Sequence, residues 1–386
     1  MRTTSAASTG VANQQDEPQV HWDARFRTAK GREVAPPALD VPVADTHAHL
    51  DMLHHPALAL ARCAASGVDF VVTVVDPTED PGYTYRGLGE WEHEARGLLD
   101  GWGVRAPVPH VRVIVGCHPH NASKFTREVE QRLIACAGSP HTAGIGEIGL
   151  DYHYDLSPRA VQREAFKRQI ALANEMVLPV ALHLREAHDD GLAILQEEGM
   201  PVAGTLLHCF NLGFEVLAPF LKLGCHVAYG GPLTFKKCDE VRDAARRTPL
   251  ERIVTETDAP FMAPEPLRGT VCGPEDTVFT AARLAEAFGL EGREATKMLT
   301  RVYENAHSFF DRDTSSWQDN PKAIRRLATK ATGVAGAAGA TAAAAAVAGG
   351  ACATPVGGGV PDAPSLGATA VPGAAIAGAP APDGEE

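Results

Sequence analysis

The feature that most narrows what this chain can fold into is an eightfold recurrence of short, almost wholly apolar runs. They are VPVADT (41–46), DFVVTVV (69–75), VRVIVGC (111–117), TAGIGEI (142–148), LPVALHL (178–184), GTLLHCF (204–210), CHVAYGG (225–231) and RIVTETD (252–258). Each is rich in β-branched residues and lacks polar alternation, as parallel strands buried on both faces do. Longer segments lie between them, and residues 158–177 and 214–223 repeat apolar side chains at helical spacing. Eight strand–helix units predict a closed (β/α)8 TIM barrel. An open doubly wound sheet fits less well, because no G-x-G-x-x-G turn follows the first run.

A barrel of this kind needs about 250 residues, and the chain has 386. Composition shows where the surplus lies. A polar, flexible extension is expected over residues 1–40, the barrel over 41–311 and an Ala/Gly/Pro-rich disordered tail over 312–386. Residues 331–361 carry no charge and are long enough to span a bilayer. They lack Leu, Ile and Phe, however, and Gly-Gly and Pro breaks interrupt any helix, so no membrane span is expected. The basic cluster that opens the tail (Lys322, Arg325, Arg326, Lys330) reads as a solvated segment.

With 48 acidic and 35 basic residues the net charge is −13. That excludes a protein whose whole surface attracts polyanions, so any nucleic-acid contact has to be local. The eight cysteines are scattered without a C-x-x-C pair, which argues against a zinc ribbon or a disulfide framework. They read as reduced thiols of a cytoplasmic protein, and the N-terminus shows no apolar signal segment.

The unusual polar residues fall at the C-terminal ends of the expected strands, which form the active face of a barrel. The first run ends in Asp45-Thr-His47-Ala-His49, the fourth carries Glu147 and runs on to Asp151, the fifth carries His183, the sixth His208, and the eighth ends in Glu256-Thr-Asp258. Alternation points His47 and His49 to one side. Singly each is ordinary, since a lone buried histidine is more often a hydrogen-bonded core residue than a ligand. Together, imidazoles and carboxylates from five strands on one rim would carry a heavy desolvation cost unless cations compensated it. Such a donor set suits Zn, Mn, Fe or Ni and permits Mg. A glutamate between two ions could bridge them at roughly 3.5–4 Å, so that one activates water while the other receives the leaving oxygen. That arrangement predicts hydrolysis.

At this point the chain resembles the TatD family of metal-dependent deoxyribonucleases, within the amidohydrolase-like barrels. The strings that carry the resemblance are DTHAHLD (45–51), VGCHPH (115–120), GEIGLDYHYD (146–155), residues 162–187, LHCF (207–210) and ETDAPFMAPEPLRG (256–269). The resemblance implies a (β/α)8 barrel holding two divalent ions (Mg, Mn or Zn) on His47, His49, Glu147, His183, His208 and Asp258. Glu147 would bridge and Asp258 would accept the proton. His118 and His120 would contact substrate at the pocket mouth, and Arg185 and Arg268 would grip phosphate through their planar forks. Lys236 and Lys237 follow the seventh run, where barrel phosphate sites often form. The implied activity is 3′→5′ exonucleolytic hydrolysis of single-stranded DNA, with no obligate protein partner. The alternatives are a deacylase or esterase on a small-molecule or aminoacyl substrate, and an inactive barrel serving as a scaffold. Two loops depart from the family pattern: Leu212 stands where HCF is commonly followed by a residue and then Gly, and RGTVCGPED lacks the usual Asn-Glu-Pro.

A tail so poor in large apolar residues cannot offset its own ordering entropy. Deleting everything after Lys330 should therefore leave thermal stability and turnover nearly unchanged. A large fall in melting temperature would show that the tail docks on the barrel.

Overall fold

A computed structural model of the protein describes residues 26–311. The tail, its basic cluster and residues 1–25 of the expected extension lie outside the described residues. Each of the eight apolar runs overlaps a strand: β1 (Val43–Ala48), β2 (Val68–Val75), β3 (His110–Val115), β4 (Thr142–Asp151), β5 (Val180–Arg185), β6 (Thr205–Leu207), β7 (His226–Tyr229) and β8 (Ile253–Thr255). They form one sheet in sequential order, parallel throughout. The helices are α1 (Pro56–Ser66), α2 (Pro81–Trp102), α3 (Arg127–Ala137), α4 (Arg159–Met176), α5 (His188–Glu198), α6 (Phe214–Leu223), α7 (Asp239–Arg247), α8 (Thr277–Ala287) and α9 (Gly292–Phe310). Their punctuation is local: α1 starts on Pro56, where a missing N–H costs nothing, and stops at Gly67 in the left-handed region. No helix among the described residues is long and apolar enough to cross a membrane.

Alternation along the strands sorts side chains into two cores. Phe70, Val72 and Val74 of β2 turn inward to meet Ala44, Ile114, Leu206 and Val254, while Val71 and Val75 turn outward to the helices. The inner cluster is completed by Ala306, Phe309 and Phe310 of α9. Asn305 ties that helix to the start of β8 by donating to the carbonyls of Leu250 (2.7 Å) and Ile253 (2.9 Å). The amino-terminal end of the barrel is thereby plugged with aromatic rings. Chemistry is left to the opposite end.

The ring closes between β1 and β8 chiefly through side chains. Thr46 Oγ1 donates to the Thr255 carbonyl (2.9 Å), and Thr255 Oγ1 donates to that of Ala44 (2.8 Å). Beyond the strand ends, Asp258 N donates to His47 O (2.9 Å) and His49 N to Ala259 O (2.7 Å). The seam thus ends at three of the expected ligands.

Part of the extension expected over residues 1–40 is not free. Arg27 and Glu33 bridge a small antiparallel turn, and Phe26 is 2% exposed, its ring edge-on to Phe279 of α8 at 5.1 Å. Sequence patterning misses this anchor because a single aromatic in a polar stretch has no period. Phe26→Ala should lower stability by about 3 kcal/mol, the scale of a buried Phe-to-Ala truncation, read as a lower denaturant midpoint. An unchanged midpoint would mean that the segment merely rests on the barrel.

Candidate metal centre

The centre is assembled from irregularities in otherwise regular strands. Opposite β5, Ile145 pairs with Val180 and Ile148 with Leu182, so β4 carries one extra residue where Glu147 sits. A comparable slip lies between Asp45 and Ala48 of β1, around His47. An extra residue locally bends a strand and re-aims its side chain. Close approach of β4 and β5 needs Gly149: its φ of +146° disfavours other residues, and a Cβ there would lie 2.0 Å from the His183 carbonyl. The G-E-I-G string is therefore a packing requirement as well as a source of a ligand.

Among the described residues three groups of donor atoms lie within 4.8 Å of one another: His47, His49 and Asp258; His47, Glu147 and His208; and His118, Glu147 and His183. Glu147, 3% exposed, joins them. Its Oε2 lies 3.5 Å from His47 Nε2 and 3.8 Å from His49 Nε2, and Asp258 Oδ1 lies 3.8 and 3.5 Å from the same nitrogens. Its Oε1 lies 2.5 Å from His183 Nδ1, 2.9 Å from His208 Nε2 and 3.6 Å from His118 Nε2. Donors of a tetrahedral site with bonds of about 2.0–2.1 Å stand about 3.4 Å apart, so the first set has the spacing of ligand atoms rather than of hydrogen-bonded pairs. Both ring nitrogens of the fully buried His47, and His208 Nδ1, have no hydrogen-bond partner. Orphaned buried imidazoles beside two carboxylates fit a divalent cation.

The electrostatics agree with that fit. Burial opposes ionisation of Glu147, yet His208, His118 and His183 hold its pKa well below the usual carboxylate range. Asp258 is likewise pulled down against its burial by His49, His208 and His47. Burial, reinforced by His208, lowers His47, and burial pushes His118 down to about 4. Against burial, His208 is raised well above its ordinary value by Glu147 and Glu256, His49 is raised by Asp258, and His183 is raised by Glu147 and Asp151. The cluster attracts positive charge, proton or metal alike.

A second layer of carboxylates orients these ligands. Asp151 Oδ2 lies 3.1 Å from His183 Nε2 and 2.7 Å from His120 Nε2, while Oδ1 accepts from the amides of His153 and Tyr154. Glu256, wholly buried, faces His208 Nδ1 at 3.6 Å and accepts from the Cys209 amide. Asp45 accepts from the amides of His47 and Thr257 and from the Thr257 hydroxyl, clasping the two ends of the seam. Asp76 accepts from the His118 amide and from Asn121, fixing the VGCHPH loop. Asp258 and Cys209 both adopt positive φ, +66° and +46°, a strained backbone concentrated at the rim.

All six expected ligands are brought together. His118 lies 3.4 Å from His183, inside the cluster, and His120 rests on Asp151; both side chains remain partly exposed. Arg185 is exposed over the Tyr154 ring at 4.7 Å, opposite Asp151 in register. Arg268 stacks on Phe235 at 4.3 Å without a contact to the cluster, and Lys236 and Lys237 are exposed. Leu212 packs against the core and Gly213 precedes α6, so the first loop departure leaves that helix start intact. Sequence reasoning overlooked the orienting roles of Asp45, Asp76 and Glu256. The available signal was an acid in a strand apolar on both faces, which must have a partner.

A parallel (β/α)8 barrel with a shared glutamate among imidazoles at its carboxyl rim defines a metal-dependent hydrolase. Comparison with known proteins then gives the family: the chain belongs to the TatD related DNases, whose family profile matches residues 44–311. It is 34% identical over 281 residues to the uncharacterized metal-dependent hydrolase YcfH of Escherichia coli K12, covering 71% of this chain and 97% of that one. It is also 34% identical over 201 residues to a Pantoea vagans protein named 3′-5′ ssDNA/RNA exonuclease TatD, covering 50% of this chain and 76% of that one. The crystal structure of the E. coli TatD homologue YJJV shares the fold, with a TM-score of 0.57 at 24% identity, covering 70% of this chain and 98% of that one.

Outer carboxylates that hold a ligand histidine typically change metal affinity 10–100-fold when removed. Glu256→Gln and Asp151→Asn should each weaken metal retention by about that factor in chelator competition while the far-ultraviolet spectrum is unchanged. Equal retention by both variants would show that the second layer does not act on the metal.

Proposed function

We propose that this protein is a 3′→5′ exonuclease that hydrolyses terminal phosphodiesters of single-stranded DNA with two divalent ions. The observation that carries the reading is that Glu147 turns one carboxylate oxygen to each of two donor groups. His47, His49, Glu147 and Asp258 would hold one ion, and Glu147, His183 and His208 the other, with His118 beside the second. When bound, the ions supply Lewis-acid charge to the phosphoryl oxygen and activate water. Mg, Mn and Zn are the candidates the donors favour.

The chain's own residues supply the rest. Asp258 is ionised and its side chain is 17% exposed, which suits it to accept the proton of the attacking water. The buried flank of Glu147, His47 and His208 excludes bulk water from the rear of the site. Arg185, exposed at the end of β5, would hold a flanking phosphate, with Arg268 serving a more distant one. The name of the Pantoea vagans relative supports a nucleic-acid substrate over an acyl one. We place the hydrolase domain at residues 41–311, with 26–40 packed on it and 312–386 outside catalysis. The cysteines among the described residues are unpaired, which supports a cytoplasmic setting.

With a 5′-labelled single-stranded oligonucleotide, the expected product is a ladder shortening from the 3′ end, slower on intact duplex and abolished by exhaustive chelation. Glu147→Ala and Asp258→Ala should each lower kcat by about 10²–10³-fold or more, the scale for removing one group that acts on the transition state. Internal nicking of circular DNA, or efficient acyl-ester hydrolysis without oligonucleotide cleavage, would overturn the reading; RNA tested in parallel reports sugar preference.

A further inference from the structure

Among the described residues three large aromatic side chains are strongly exposed: Tyr83 (48%), Tyr154 (46%) and Phe261 (45%). Tyr83 lies on α2 against Trp91, away from the centre. The other two adjoin its histidines, Tyr154 through His120 and Phe261 directly against His49. Tyr154 follows β4, its ring centroid 5.4 Å from His120, which in turn leans on Asp151 beside His183. Phe261 follows Asp258 and lies 6.2 Å from His49. One ring therefore flanks the His118/His183 half and one the His49/Asp258 half.

The Tyr154 ring is held by its neighbours, and the turn that carries Phe261 is closed by a main-chain hydrogen bond. The Tyr154 amide donates to Asp151 Oδ1 at 2.9 Å, His153 approaches the ring edge-on at 4.8 Å, and the Arg185 guanidinium stacks on it at 4.7 Å. Phe261 N donates to Asp258 O at 2.8 Å, closing a turn that begins at the expected proton acceptor. An exposed apolar ring fixed in place has already lost the side-chain freedom that binding would otherwise remove.

We propose that Tyr154 and Phe261 are nucleobase platforms, each stacking one of the two bases that flank the scissile phosphodiester. The inference rests on the nuclease reading above and names the source of its preference for unpaired substrate. Stacking tolerates any sequence, because every base has a π-face. It also needs no charge, which matters for a chain of net charge −13 that can make few phosphate contacts. Arg185 on the Tyr154 ring lets one platform meet a base and its neighbouring phosphate together. A base in duplex is already stacked and paired, so it reaches neither ring without unpairing.

The test is a cycle between protein variants and abasic substrates. Single-stranded oligonucleotides carrying a tetrahydrofuran abasic residue at the 3′-terminal or penultimate position are compared with the intact strand. Tyr154→Leu and Phe261→Leu keep apolar bulk and remove the π-face, and Tyr154→Phe is the conservative control. Each Leu variant should lose about 5- to 150-fold in kcat/KM on the intact strand, mainly through KM. Each should also become insensitive to one of the two abasic positions, while Tyr154→Phe behaves as wild type. As a binding readout, 3′-terminal 2-aminopurine should be quenched by Asp258→Asn protein and less so when one platform is also removed. Leu variants that respond to abasic residues as wild type does would overturn the platforms and leave the nuclease reading standing. Wild-type protein that neither binds nor cuts any oligonucleotide would overturn both.

Discussion

An ionised carboxylate almost sealed from water is costly unless positive charge or donors surround it, and Glu147 is surrounded by imidazoles from four other strands or their loops. His47, His49, His118, His183 and His208 all lie within 3.8 Å of one of its oxygens. Much of the upper barrel serves that encounter: the extra residue in β4 that aims the side chain, the bare Cα of Gly149 that lets β5 approach, and the strained turns at Cys209 and Asp258. The same carboxylate has two oxygens facing different neighbours.

The barrel's closure and its chemistry are one piece of construction. Asp45 accepts from the amide of His47 and from the amide and hydroxyl of Thr257, and the next residues across the seam are the clustered donors His49 and Asp258. Burial pushes the Asp45 carboxyl well above its ordinary pKa against those hydrogen bonds, and its oxygens clasp the two sides of the seam. At the other end, the rings of α9 fill the barrel with apolar mass. The low-polarity floor and the charged rim make the site directional.

Function follows from the rim rather than from the barrel, since this architecture hosts many chemistries. Metal-dependent hydrolysis is written in the donor set. The donor set does not by itself choose a substrate, and what stands around it comes from strand ends and loops together.

The sequence by itself determined the architecture and named the donor side chains that the fold gathers at the rim. Eight runs buried on both faces permit few other folds, and the strings carrying His47, His49, Glu147, His183, His208 and Asp258 are local in the chain. The boundaries of α6 were legible to the residue, because its apolar spacing is uninterrupted between glycines. Only the tertiary structure decided that His118 belongs inside the cluster, that Asp45, Asp151 and Glu256 stand against the clustered histidines or their amides, and that Phe26 anchors the chain's early residues. Those facts depend on pairs such as Asp45 with Thr257, which lie 212 positions apart. A period reports which face of its own strand a residue occupies, and says nothing of which residue from another strand will stand opposite it.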